Sequence, residues 1–277
     1  MPVTLNIVGA GHVGRTLGRL FAAHGAFDVQ DVLTRSLDSA QEAVAFIGAG
    51  RALADLADLR PARAWMLAVG DDAIAPTCAA LAEAGLLKDA VVFHCSGAKS
   101  SGELQAAIDA GALVASVHPV RSFADPEGVA GAFAGTWCGV EGDAAALALL
   151  TPAFEAIGAR LVPIDAAAKT VYHAASVFAS NYLVTVLDAA LRAYVAAGVP
   201  EQVARELAQP LASESLANVF RLGPAVALSG PVARGDLATV ARQQAAVSNW
   251  DAPTGRLYDA LVEATTALAE RKRRGQP

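Results

Sequence analysis

The sequence is short of charge and of cysteine. Only 17% of its 277 residues are Asp, Glu, Lys or Arg, against 54% hydrophobic residues. A chain this apolar is not disordered, because it has ample surface to bury against the entropy of ordering the backbone. Basic residues are in the minority. With 21 Lys and Arg against 27 Asp and Glu, the formal net charge is −6, so no nucleic-acid footprint is present and no nucleic-acid partner is expected. The one basic cluster, Arg271-Lys272-Arg273-Arg274, reads as a solvated tail. Three cysteines, Cys78, Cys95 and Cys138, are widely spaced and odd in number, which makes neither a disulfide framework nor a zinc site. No metal is therefore expected. The opening MPVTLNIVGAG lacks the basic region and long apolar core of a signal peptide, and the expectation is a cytoplasmic protein with reduced thiols.

A mean hydropathy of +0.40 raises the question of a membrane. A spanning helix needs about 20 mostly apolar residues. The longest uncharged run, Thr170 to Leu187, carries His173, Ser176, Ser180, Asn181 and Thr185, too many polar groups for an isolated lipid-facing helix. The run is read as a buried helix of a soluble protein, with no membrane partner.

What the sequence does contain is an alternation of strands and helices. Val3 to Val8 is a short apolar run followed by a glycine-rich turn and a helical pattern from Val13 to His24, with Leu17, Leu20 and Phe21 on one face. Further strands are expected at Val29 to Leu33, Ala64 to Val69, Val91 to His94, Leu113 to Val117, Trp137 to Val140 and Arg160 to Ile164. Helical stretches separate most of them, which implies parallel pairing through crossovers and a doubly wound α/β sheet. After Ile164 the strand signals stop. From Ala166 onward the chain reads as helices, punctuated by Gly198-Val199-Pro200, Gly223-Pro224 and Gly230-Pro231. Two domains follow, 1–165 for a nucleotide and 166–277 all-α.

Gly9-Ala10-Gly11-His12-Val13-Gly14 follows a strand and opens a helix, the context that a dinucleotide fingerprint requires. The first glycine makes the tight turn, the second lets backbone approach a pyrophosphate, and the third permits close helix–strand packing. The helix N-terminus then offers unpaired N–H groups to the anion. About twenty residues further on, an NAD site presents a carboxylate to the ribose. Here the second strand ends in Thr34-Arg35-Ser36, a guanidinium between two hydroxyls, which suits the 2′-phosphate of NADP(H).

Ligands of a doubly wound sheet bind beyond the carboxyl ends of the strands. Three segments leave those ends: Ala68-Val69-Gly70-Asp71-Asp72, His94-Cys95-Ser96-Gly97-Ala98 and His118-Pro119-Val120-Arg121-Ser122. Val69, Gly70 and Ser96 are expected to face the cofactor. Asp71 or Asp72 could also cap the next helix. His94, inside an apolar strand, is read as a core histidine. His118 is a catalytic candidate because it closes a strand before a proline that ends regular pairing. On the helix beginning near Ala166, Lys169, His173, Ser176 and Ser180 fall on one face at i, i+4, i+7 and i+11. Such a stripe on an apolar helix is hydrogen-bonded or faces a cleft. Two readings stand: a helix start with a snorkelling Lys169 and a structural His173, or Lys169 as a proton donor beside the nicotinamide, its pKa lowered by burial.

The order of fingerprint, Thr-Arg-Ser, Leu-Ala-Val-Gly-Asp-Asp and a long helix with Lys-x-x-x-His resembles the β-hydroxyacid dehydrogenase and pyrroline-5-carboxylate reductase superfamily. Lys169 matches the catalytic lysine of the former, and His173 stands where those enzymes have asparagine. Their substrate loop would fall at His118 to Ser122, without its glycines. A closer resemblance rests on His94-Cys95-Ser96-Gly97, Ser116-Val117-His118-Pro119, Tyr172-His173-Ala174-Ala175 with Ser180-Asn181-Tyr182, and Gly230-Pro231-Val232-Ala233-Arg234-Gly235-Asp236. These look like a bacterial Rossmann-like family whose C-terminal half is a domain of unknown function and whose members are described as NADP- or F420-dependent oxidoreductases. The resemblance implies a helical C-terminal domain of the 6-phosphogluconate dehydrogenase type that pairs two subunits into a homodimer. It makes Arg234 a candidate for a substrate carboxylate or the partner subunit, or else for a turn-fixing pair with Asp236. The expected activity is hydride transfer between NADP(H) and a small oxo, hydroxy or imine substrate. An F420-linked reductase and a non-catalytic NADP-binding sensor or scaffold remain open beside it.

Overall fold

The structure, a computed structural model, describes residues 3–275. Contacts divide it into two units, one ending at Ala179 and the other beginning at Ser180.

The first unit is built on one eight-stranded sheet. Its strands are β1 (Thr4–Val8), β2 (Asp28–Leu33), β3 (Arg51–Leu53), β4 (Ala64–Leu67), β5 (Val91–His94), β6 (Leu113–Pro119), β7 (Trp137–Gly142) and β8 (Arg160–Pro163), in the spatial order β3-β2-β1-β4-β5-β6-β7-β8. The first six are parallel in the doubly wound order, which reverses direction between β1 and β4. The side-chain period of two fills both faces. Leu5, Ile7, Met66, Phe93, Ala115 and Val117 join one core, and Val8, Trp65, Leu67, Val92 and Val114 the other. Helices α1 (His12–Ala23), α2 (Leu37–Ile47), α3 (Asp71–Glu83), α4 (Gln105–Asp109), α5 (Pro126–Gly131) and α6 (Ala144–Ala156) join the strands. Leu17, Leu20 and Phe21 of α1 are buried as their spacing requires, with Phe21 edge-on to Phe27 and Phe154 at 5.0 and 5.2 Å.

Two departures from the sequence reading concern the sheet. β3 has only three residues, too short to show a period, and carries Arg51, which pairs with the buried Asp31 at 3.0 Å. β7 runs antiparallel to β6, and pairing continues through His118↔Gly139 and Pro119↔Cys138 instead of stopping before the proline. A parallel return needs a crossover to the opposite end of the sheet. The segment between these strands stays at one end, where Val120 N–H donates to Trp137 O at 2.8 Å.

After β8, a 3₁₀ turn at Ala166–Ala168 leads into α7 (Lys169–Val177), and a π-turn at Phe178–Tyr182 follows. The π-turn breaks the 3.6-residue count, so Ser180 does not continue the face of Lys169 and His173 by simple spacing. The expected burial of Thr170 to Leu187 is not met: Val171 is 76%, Phe178 69% and Val184 67% exposed. Ala166–Ala196 forms one helix long and apolar enough to cross a membrane, and none of its apolar window is buried. Composition says only that such a face needs cover, and whether the same chain provides it is a tertiary matter.

The second unit is helical: α8 (Leu183–Ala196), α9 (Glu201–Leu222), the short α10 (Pro224–Ala227) and α11 (Gly230–Arg234), then α12 (Leu237–Trp250) and α13 (Ala252–Arg273). Asp236 and Asp251 cap α12 and α13 by accepting from Thr239 and Thr254 N–H, both at 3.1 Å. Arg192 of α8 reaches the start of α13, bonding Thr254 Oγ1 at 3.1 Å. Its fully buried apolar residues are few and small, Ala204, Ala225, Val240 and Ala269.

Candidate active site

The glycine turn folds as its spacing demands. Gly9 has φ +84°, and a Cβ there would stand 2.8 Å from Ala68 O. At Gly14 a Cβ would stand 2.5 Å from Gly9 O, so only glycine lets α1 start this close to β1 and β4. Gly11 is different: nothing lies within 4 Å of its missing Cβ, and the same holds at Gly70. These two glycines are the N-caps of α1 and α3, and neither helix has a side-chain cap. Two helix N-termini with unpaired N–H groups therefore open on one cleft of about 370 Å³ at the carboxyl ends of β1, β4, β5 and β6. His12, Val13 and Val69 line it as well. Ala10 is buried, and its carbonyl accepts from Arg15 Nε at 3.1 Å. Asp71 and Asp72 stand in the first turn of α3 behind Gly70, and neither caps the helix as the sequence had allowed.

At the other end of the cleft lie His118, His173 and Gly97. The two imidazoles meet edge to face at 5.6 Å, and Tyr172 approaches His118 in the same way. Tyr172 Oη lies 3.1 Å from His118 Nδ1. A Cβ on Gly97 would stand 2.3 Å from His173 Nδ1 and 2.8 Å from His118 Nε2, so the absence of a side chain is what lets the loop pass both rings. His173 Nδ1 is buried without a hydrogen-bond partner among the described residues. Burial, reinforced by His173 and Lys169, pushes His118 down to about 4, which keeps it neutral. The α7 face thus contributes Tyr172 beside His173, a residue that spacing alone did not single out. The tyrosine lies one position before the histidine, a neighbour that a stripe counted in threes and fours passes over.

Lys169 stands behind this group, 1% exposed and outside the cleft lining. Its ammonium donates to Ser116 Oγ and lies 3.5 Å from Glu141 Oε1. Glu141 in turn accepts from Ser101 N–H and Ser101 Oγ, each at 2.7 Å. Burial lowers the lysine pKa, partly offset by Glu141. His94 is a core residue, as read: fully buried, accepting from Ser96 N–H at Nδ1 and facing Ser100 O with Nε2 at 3.0 Å, it is pushed down by burial to about 4. Ser96 Oγ accepts from Ala98 and Lys99 N–H. The loop from Cys95 to Ser101, one wall of the cleft, is thus clamped at its two ends by His94 and by Glu141.

The remaining candidates are more dispersed. Thr34 Oγ1 donates to Ser36 O at 2.7 Å, Ser36 Oγ caps α2 through Ser39 N–H, and Arg35 is exposed just beyond β2. Ser122 is exposed and outside the cleft lining. Arg234 ends α11 in the helical unit, exposed, and Asp236 is held below the usual carboxylate range by hydrogen bonds from Thr239, to which the Arg234 charge adds a little. No group of three or more metal-binding side chains occurs among the described residues.

Replacing Lys169 by Met should lower stability by about 3 kcal/mol, because Glu141 is left buried without its cation. In urea denaturation the double variant with Glu141→Gln should lose clearly less than the two single losses summed. His94 and His118 give the acid response its sign. Both bind protons more weakly folded, at about 4, than unfolded, near 6.5. Stability is therefore fully present above pH 6.5 and falls between pH 6.5 and 4 as the unfolded chain takes up protons. Urea midpoints measured across that window should decline, and His118→Gln should flatten the decline.

No curated protein sequence matches the chain significantly. Solved structures resemble it over almost their whole length. A Bacteroides fragilis protein provisionally named an NADP oxidoreductase is 21% identical, covering 96% of this chain and 98% of that one, with a TM-score of 0.78. A Thermotoga maritima protein is 28% identical over 97% and 99%, at 0.72. An imine reductase from Myxococcus stipitatus in complex with NADP+ is 16% identical over 99% and 95%, at 0.66. The family models divide the chain between them, a Rossmann-like domain at residues 2–119 and a domain of unknown function, DUF2520, at residues 136–265. The chain thus matches a Rossmann-like domain model followed by a DUF2520 model.

Proposed function

We propose that the chain is an NADP-dependent oxidoreductase moving hydride between NADP(H) and a small oxo, hydroxy or imine substrate. The observation that carries this reading is the pairing of two uncapped helix N-termini with the open space at Gly11 and Gly70, on a cleft whose other end holds His118 and His173. A Cβ at Gly11 would occupy that space, so the residues present fit a dinucleotide. Gly9, Ala10, Gly11, His12, Val13 and Gly14 would hold the pyrophosphate against α1, with Val69, Gly70 and Ser96 along the cleft. Thr34, Arg35 and Ser36 would receive the 2′-phosphate, where no carboxylate repels it. The bound nicotinamide supplies the hydride. His118 and His173 touch the substrate, and Lys169 acts indirectly through Ser116 and Glu141, as a positioning residue. Names of the structural relatives, an NADP oxidoreductase and an NADP+-bound imine reductase, support the cofactor.

Titration with NADPH and NADH, followed by nicotinamide fluorescence, tests the reading. NADPH should bind more tightly, Gly11→Val should abolish binding without unfolding the chain, and Arg35→Ala should cut the preference about tenfold, or about 1.4 kcal/mol. Failure of both nucleotides to bind overturns the reading and favours F420 as hydride partner. Equal affinities remove the assignment of Arg35, and binding without turnover favours the sensor.

The reading includes a homodimer formed through the helical domain, 166–277. Among its described residues the helical unit buries four small apolar side chains, while Phe220 is 87%, Leu237 75% and Leu211 60% exposed. Apolar area left uncovered on this scale marks an interaction surface. Sedimentation should give twice the chain mass, and Phe220→Asp should weaken the association. A wild-type monomer at micromolar concentration would refute the dimer.

A further inference from the structure

The hydrogen bond from Tyr172 decides which nitrogen of His118 carries the proton. The phenol oxygen is packed against the backbone of Gly139 on β7. Contact there is close: a Cβ on Gly139 would stand 2.4 Å from Tyr172 Oη. The hydroxyl has one proton to donate, and His118 Nδ1, 3.1 Å away, is its one acceptor among the described residues. A neutral imidazole that accepts at Nδ1 carries its hydrogen on Nε2. The Nε2 edge of the ring is turned toward Gly97, and both residues line the cleft. The charged and titratable groups around the ring work against an imidazolium. His173 and Lys169 disfavour it, burial disfavours it more, and Asp71 opposes them only weakly.

We infer that Tyr172 locks His118 as the Nε2–H tautomer, so that the cleft offers its substrate a neutral N–H donor to an oxygen acceptor. Tyr172 is then a positioning residue and His118 a catalytic one: its N–H polarises the carbonyl oxygen while the carbon takes a hydride from NADPH and the oxygen a proton from water, and on the way back it holds the alcohol oxygen as the hydride returns to NADP+ and the proton to water. The inference rests on the oxidoreductase reading and narrows its substrate to a carbonyl/hydroxyl pair. A protonated imine has no lone pair with which to accept from Nε2–H, so this arrangement does not serve it.

Long-range proton–nitrogen correlation spectra of the uniformly ¹⁵N-labelled full chain at pH 7, without nucleotide, read the tautomer directly. His118, assigned by its loss in His118→Gln, should show a protonated Nε2 and an unprotonated Nδ1. Tyr172→Phe should mix the two tautomers and lower kcat/KM on the order of 10- to 100-fold while the NADPH Kd stays unchanged. A proton found on Nδ1, an imidazolium at pH 7, or a Tyr172→Phe protein with an unaltered tautomer would each overturn the inference. Turnover of a simple aldehyde and a 2-oxo acid should exceed that of a five-membered cyclic imine, and preference for the imine would overturn the substrate assignment. Because the spectra need no cofactor, failure of NADPH to bind refutes the oxidoreductase reading without touching the tautomer.

Discussion

A carboxylate and an ammonium buried side by side organise the histidine end of this cleft. Glu141 and Lys169 are both removed from water, and neither charge is tolerable there without the other. Each also holds further partners: Glu141 takes both the backbone and the hydroxyl of Ser101, and Lys169 takes Ser116. The pair thereby fastens β7 to α7, β6 and the loop after β5, and the last three each contribute residues to the cleft lining. The energetic return on a buried ion pair is small compared with an apolar replacement. Its consequence is geometric, since the rings one turn along α7 from Lys169 can hold a fixed distance from Gly97 only while α7 itself is held.

The two ends of the cleft are electrostatically unlike. At the glycine turn the polarity comes from backbone, two helix N-termini whose N–H groups suit an anion regardless of pH. At the far end it comes from side chains, chief among them the His118 imidazole, which burial keeps neutral and which can donate or accept a hydrogen bond without carrying a fixed charge. The proposed reaction, with a phosphorylated cofactor and an uncharged reacting group, would call for this division. The same burial places His94 and Lys169 within the protein fabric, although both are chemically capable side chains.

Much of this was legible in the sequence because it is local. The strand, glycine turn and helix around Gly9 to Gly14 depend on residues within a few positions of one another, and so do the apolar period of α1 and the alternation of the parallel strands. His118 and His173 were legible as candidates from their positions at a strand end and on a helix face. The antiparallel β7, the three-residue β3 and the continuation of pairing through Pro119 were not, because a strand's direction and partner depend on where the intervening chain goes. The stripe of Lys169, His173, Ser176 and Ser180 was legible as a pattern, yet spacing treats its members alike, and it passed over Tyr172.

By itself the sequence determined a doubly wound nucleotide-type sheet with a glycine turn at its first strand, followed by a helical region rich in apolar surface. Periodicity and steric rules act over short distances and suffice for that. Tertiary structure decided which polar groups stand at the cleft and which are fabric: it turned Lys169 inward to Glu141, set Tyr172 between Gly139 and His118, and left the apolar face of the long helix unburied. Those outcomes depend on residues 28 or more positions apart along the chain being brought within hydrogen-bonding distance, and on burial, which no short stretch of sequence encodes.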